Sequence, residues 1–213
     1  MKEIFPSIYK EGKWLYTKNL TPGKRISMEK LHVVNGIEYR SWNPYRSKMA
    51  AAILKKCSHM PIRDDSYILY LGAANGTTAS YFSDIATNGM IYAVEISFQA
   101  MRDLLKVCEE RKNMLPIMGD ARRPDEYEAM VEYVDVVYQD IAQRDQVSIF
   151  LKNMKKFDAE EGILMVKARS IDVSMKPEKV FEKVKEELRN DFQIKEALPL
   201  HPYARDHMAI FVE

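Results

Sequence analysis

The chain has 213 residues, 46% hydrophobic and 30% charged, with a formal net charge of +1. That is room for one large domain with at most a small appendage, in the composition range of a folded globular protein. No apolar run reaches the length of a membrane span, the N-terminus has no signal-peptide core, and Cys57 and Cys108, both in expected helices, lack metal-type spacing; a cytosolic protein with reduced thiols is expected. Residues 1–45 read as a small antiparallel β subdomain. Aromatic residues alternate with lysines in Lys13-Trp14-Leu15-Tyr16-Thr17-Lys18, Thr21-Pro22-Gly23 signals a turn, and Val34-Asn35-Gly36-Ile37 signals a type I′ hairpin. A helix is expected over about 47–57, ended by Pro61. From there strand patterns near 66–71, 90–95, 114–118, 134–139, 162–167, 192–198 and 207–212 alternate with helical ones near 77–87, 98–111, 124–132, 144–156 and 177–190. Such alternation predicts a doubly wound, mostly parallel α/β sheet. The last two strands are too close in sequence for a crossover helix and should pair antiparallel.

Charge is unevenly spread. Residues 1–60 hold 12 Lys/Arg against 4 Asp/Glu, whereas the remainder holds 20 against 27. Either a basic surface meets a polyanion, or lysines simply solvate a small exposed sheet.

The segment Tyr67–Ser80 reads as strand, glycine turn and helix start, with Gly72-x-x-x-Gly76 at the corner. Glycines let backbone approach a ligand, and the first helical N–H groups lack partners within the helix. Glu95 follows 23 residues after Gly72, at the end of the second strand, near the spacing at which an acid binds a ribose. The third glycine of a dinucleotide fingerprint and the Lys-Ser/Thr of a P-loop are both missing. The corner therefore suits a nucleoside without phosphates, S-adenosylmethionine (SAM) foremost; a tight turn in another α/β protein is the plainer alternative. A seven-stranded, mostly parallel sheet with one reversed strand is also how Rossmann-like SAM-dependent methyltransferases look.

Ligands of doubly wound sheets bind at the carboxyl ends of the strands. Those ends carry Gly72, Glu95, Asp120, Asp140 and Lys167. Asp120 alone reads equally as a helix cap. Lys167 closes a buried strand and needs a charge partner or a function, with Asp140 the natural partner. Lys48 reads on spacing alone as a surface lysine.

Together the stretches Glu38–Lys48, Tyr70–Thr78, Ala93–Glu95, Gly119–Arg122, Asp135–Gln143, Lys167–Asp172 and Pro202–His207 resemble the fibrillarin family, especially its short archaeal RNA 2′-O-methyltransferases. The resemblance runs from the N-terminal hairpin to the last strand, and its Trp-Asn-Pro-Tyr-Arg-Ser-Lys and Asp-x-Ala-Gln segments are specific to the family. It implies SAM-dependent methylation of ribose 2′-hydroxyls in rRNA and tRNA. It implies work within a ribonucleoprotein: a box C/D guide RNA, a Nop-domain scaffold protein and a kink-turn-binding ribosomal-type protein. Carried over residue by residue, Gly72, Thr77, Thr78, Glu95, Ile96, Asp120, Ala121, Asp140, Ile141, Ala142 and Gln143 would line the SAM site. Lys48, Asp140 and Lys167 would be the catalytic set, and residues 46–213 the methyltransferase domain. Asn75 stands where the family usually has Ser or Ala, Ile96 where an aromatic residue is common, and Ala204 where many members carry glutamate. No Gly/Arg-rich tail is present, which fits the archaeal, cytoplasmic type.

The chemistry asks for alignment of a poor nucleophile with an activated methyl group, and for a way out for one proton. Lys167 serves either as base, which needs a lowered pKa that Asp140 opposes by favouring the ammonium, or as a group that orients and polarises the hydroxyl while the proton leaves late; the sequence leaves both roles open. Two other classes are a small-molecule methyltransferase, which would not need the basic N-terminal part, and a non-catalytic SAM-fold RNA-binding scaffold, which would not need Lys48, Asp140 and Lys167.

Overall fold

The computed structural model describes residues 1–213. Strands Lys2–Phe5 (β1), Ile8–Glu11 (β2), Trp14–Lys18 (β3), Leu31–Val34 (β4) and Ile37–Trp42 (β5) form an antiparallel sheet in the order β1-β2-β3-β5-β4. Asn35 and Gly36 join β4 to β5 with φ of 51° and 78°, the paired positive angles of a type I′ turn.

A second sheet holds Tyr67–Leu71 (β6), Met90–Glu95 (β7), Met114–Met118 (β8), Val136–Gln139 (β9), Glu161–Lys167 (β10), Ile194–Pro199 (β11) and His207–Val212 (β12). Its order is β11-β12-β10-β9-β6-β7-β8. All pairs from β10 to β8 are parallel, and β12 alone runs against its neighbours. Helices Lys48–Leu54 (α1), Thr77–Ile85 (α2), Phe98–Glu109 (α3), Gln146–Lys156 (α4), Ala168–Ile171 (α5) and Pro177–Leu188 (α6) complete the chain. Helices on both faces bury β6 on both sides. Ile68 and Tyr70 enter one core cluster, while Leu69 and Leu71 enter the other. No helix is long and apolar enough to cross a membrane.

The small sheet shares the first of these cores through Ile8, Leu15 and Trp42. It is also tied by charge. Asp84 of α2 accepts from Arg40 (2.9 Å), Arg111 (2.7 Å), the Thr17 hydroxyl (2.7 Å) and the Leu20 N–H (3.1 Å). Arg40 also meets Glu29 at 2.9 Å, with both side chains buried.

Three expectations need correction. The helix over 124–132 is instead two 3₁₀ turns, Pro124–Glu126 and Glu128–Met130. Between them Tyr127 leaves helical geometry (φ −123°), buries its ring and donates its hydroxyl to Asn153. The first helix stops at Leu54, because Lys56 takes a positive φ of 68°. Cys57 therefore lies beyond that helix, with its thiol donating to the His59 carbonyl.

Candidate active site

The carboxyl ends of β6, β7, β8 and β9 open into a cleft of about 250 Å³. Gly72, at the end of β6, has φ +80°, and a Cβ there would lie 2.7 Å from the Asp140 carbonyl. Only glycine lets the turns after β6 and β9 approach so closely. The Gly72 and Ala73 N–H groups both donate to the Val94 carbonyl, fixing the turn against β7. Glu95 is buried at the end of β7. One of its oxygens accepts from Ala74 N–H (2.8 Å) and the other from Ser97 N–H (2.7 Å). A carboxylate so held keeps lone pairs for further donors. Asp120 is already engaged. It accepts from the Arg122 backbone N–H (3.0 Å) and from its guanidinium (2.7 Å), whose hydrogen bonds hold its pKa below the ordinary carboxylate value. Ala121, Ile141, Ala142, Gln143 and the half-exposed Ile96 supply the remaining wall.

A second cleft of about 470 Å³ shares Gly72, Ala74, Asp140 and Ala142 with the first. Thr77 and Thr78 lie here rather than in the first cleft, together with Lys48, Lys167, Arg46 and His207. Asn75 closes the entry to α2. Its Oδ1 accepts from the Thr77 hydroxyl (2.9 Å) and N–H (3.3 Å), replacing the side-chain cap that Gly76 lacks. Lys48 is the first residue of α1. An Asx turn in which Asn43 accepts from Tyr45 N–H (2.9 Å), and Ser47 as the helix cap, set its position.

The reading of Lys48 as a plain surface lysine is wrong. Its ammonium donates to both oxygens of Asp140, each at 2.8 Å. Asp140 is therefore the partner of Lys48 and not, as the strand order suggests, of Lys167. Both side chains of the pair stay about one-quarter exposed, open to the cleft. Sequence reasoning missed two further groups. His207 sits opposite Lys167 in the β10–β12 register. Its Nδ1 lies 2.6 Å from the Arg205 carbonyl, which can only accept, so Nδ1 carries the proton and Nε2 is left as acceptor. Burial, reinforced by the nearby Lys48 and Lys167 charges, lowers its pKa below 6.5. The second is the fully buried Gln146. Its Oε1 accepts from Lys167 N–H (2.9 Å), and its Nε2 donates to the carbonyls of Gln143 (2.8 Å) and Lys167 (3.3 Å). That clamp fixes the backbone of Lys167. A glutamine in the first turn of a helix gives no such signal in the sequence, whereas His207 closes the Pro202–His207 stretch of the family resemblance.

The arrangement joins a carboxylate-lined cleft to a pocket of two ammonium groups, a carboxylate and an imidazole with a free acceptor nitrogen. The family model described as Fibrillarin matches residues 1–213. A relative from Thermococcus onnurineus, "Fibrillarin-like rRNA/tRNA 2'-O-methyltransferase", is 46% identical over 99% of this chain and 96% of its own length. The crystal structure of Aeropyrum pernix fibrillarin with natively bound S-adenosyl-L-methionine superposes with a TM-score of 0.87 at 45% identity, over 94% of this chain and 89% of that one. The fibrillarin chain of a fibrillarin/Nop5p complex superposes with a TM-score of 0.91 at 44% identity, over 99% of both. With a family model spanning every residue and close relatives aligned along the whole fold, the chain belongs to the fibrillarin family.

Proposed function

We propose that this protein is a SAM-dependent RNA methyltransferase acting on ribose 2′-hydroxyls of rRNA and tRNA. The observation that carries the reading is the Lys48–Asp140 pair, which shares one cleft with Lys167 and His207 and opens into the carboxylate-lined cleft beside it. The Thermococcus relative is named for that reaction, and the Aeropyrum relative binds SAM.

The residues present fit SAM. Glu95 and Asp120 offer acceptors for nucleoside hydroxyls and amines, Ile96, Ala121 and Ile141 offer apolar walls, and Arg122, the one cation at the cleft, is tied to Asp120. When bound, SAM supplies a sulfonium methyl already activated for attack. In our reading Gly72, Thr77, Thr78, Asp140, Ala142 and Gln143 complete its site. Lys48, held by Asp140, orients the incoming ribose, and Lys167, its backbone clamped by Gln146, polarises the 2′-oxygen. The free Nε2 of His207 is an acceptor for the departing proton.

Specificity in this reading comes from assembly. A box C/D guide RNA pairs with the target, a Nop-domain scaffold holds the enzyme, and a kink-turn-binding ribosomal-type protein holds the guide. A partner of the Nop type is supported by the fibrillarin/Nop5p complex. We divide the chain into residues 1–45, a β subdomain, and 46–213, the methyltransferase domain. We assign the protein to the cytoplasm, which suits its two free cysteines.

Labelled SAM and a guide-matched RNA test the function. Methyl should appear on the ribose opposite the guide in the assembled complex. Transfer to small molecules but not to RNA would overturn the reading.

A further inference from the structure

A third cleft, of about 410 Å³, lies between the small sheet and the start of α2. Its volume falls within the roughly 300–1,000 Å³ of small-ligand sites. It joins the catalytic cleft, because Arg46 and Thr77 line both and Ser47 on its wall precedes Lys48. Its walls are aromatic. Trp14 is about half exposed and Tyr16 meets His32 edge-to-face at 5.2 Å. Trp42 stacks on Tyr81 with ring centroids 4.9 Å apart and planes 10° apart, so its position is fixed. The Trp42 indole N–H is fully buried and has no hydrogen-bond partner. The rim is basic. Lys30 lines it, Arg46 finds only the Met28 sulfur at 3.6 Å, and the one carboxylate there, Glu29, is spent on Arg40. Aromatic faces and unspent cations beside a catalytic cleft suit a nucleotide: rings for the base, cations for its phosphate.

We propose that this cleft binds an unpaired base of the RNA whose neighbouring ribose enters the catalytic cleft, with Trp14 and His32 contacting the base. The site rests on the RNA-methylating reading given above, and it makes the small sheet a part of substrate binding rather than a support. Guide pairing would choose the target, and the cleft would hold the strand next to it at a set distance from Lys48.

The chain has two tryptophans, and both line this cleft, so intrinsic fluorescence reports its occupation. A short single-stranded oligoribonucleotide should quench the fluorescence of the intact protein, and an oligomer of the same length with abasic riboses should not. Base–aromatic stacking of the usual strength makes the expected loss of oligonucleotide affinity in Trp14→Ala about tenfold or more. His32→Ala should weaken binding in the same direction. In the assembled guide complex both variants should raise KM for RNA while kcat and SAM affinity stay at the parent values. Equal quenching by the abasic oligomer, a parental KM in both variants, or a response to a Nop-domain protein and not to RNA would overturn the proposal. If the parent bound SAM but methylated no RNA, the functional reading would fall, and the oligonucleotide titration would still decide the cleft by itself.

Discussion

Lys167 is held from both sides of its backbone, by Gln146 and by β12, while its ammonium is left to the cleft because Lys48 has taken Asp140. A group so poised acts on the 2′-oxygen in the transition state, so Lys167→Ala should lower single-turnover methylation by about 10²-fold or more and spare SAM affinity. Lys167→Arg should not rescue, since a planar guanidinium has a different shape and reach. Asp140→Ala should cost both rate and affinity, because Asp140 lines both clefts. A parental rate in a folded, SAM-binding Lys167→Ala variant would remove Lys167 from the mechanism. His207 gives the pH dependence. Its pKa is lowered, chiefly by burial, so the neutral acceptor persists below pH 6.5 and is lost only as pH falls through that lowered value. The parent's rate should therefore drop on an acid limb lying below pH 6.5, and His207→Gln should abolish that limb. For cofactor affinity, Glu95→Ala and Asp120→Ala should each cost about 0.5–1.5 kcal/mol per lost hydrogen bond by calorimetry. The chain itself announced Glu95, Asp120, Asp140 and Lys167, because the ends of parallel strands are where such a sheet binds ligands. It did not announce the Lys48–Asp140 pair. A residue 92 positions away, at the start of α1, meets Asp140 only through folding.

At the scale of elements, α2 is the joint between the two sheets. Asp84 carries the joint, with Arg40 and Arg111 converging on it at full burial. Asp84→Ala would leave the buried Arg111 without a carboxylate and Arg40 with Glu29 alone, and the expected loss is about 3–5 kcal/mol in denaturant unfolding. Glu29 adds an acid-sensitive latch. Burial pushes its pKa up, but the Ile26 N–H, the Arg40 charge and the Ser27 N–H outweigh that and bring it from 4.5 to about 2. A depressed carboxyl pKa stabilises the fold above its unfolded value and loses that contribution as pH falls toward the folded one. Between pH 4.5 and 2 the parent should therefore lose about 3 kcal/mol that a Glu29→Gln variant, already lacking the charge, does not lose with pH. The small sheet, the Asn35-Gly36 hairpin and every strand of the large sheet were legible because period, turn chemistry and apolar runs agree there. The stretch 124–132 was not. Its charged composition suits a helix, but the pull of Asn153 on Tyr127 is a tertiary contact that local pattern does not contain.

Taken whole, the molecule has a basic end and an acidic remainder. Residues 1–60 carry an excess of eight positive charges, and the rest an excess of seven negative ones. RNA affinity of the isolated protein must come from that basic end, since phosphate contacts and the counterions they release supply most sequence-independent binding. Of the twelve Lys and Arg there, three are committed to carboxylates. Arg40 is buried against Glu29 and Asp84, Lys24 pairs with Glu110, and Lys48 is committed to Asp140. Binding to unstructured RNA through the other nine should fall with salt, by about 0.7 counterion for each phosphate contacted on a single strand. It should also be nearly indifferent to sequence, as aromatic contacts accept any base. Fluorescence anisotropy across salt concentrations, with several unrelated oligoribonucleotides, measures both quantities. Adding guide RNA and the Nop-domain scaffold should raise affinity for the matched target and for no other, because base pairing then carries the choice. Site-selective methylation by the isolated protein would show that the chain reads sequence itself.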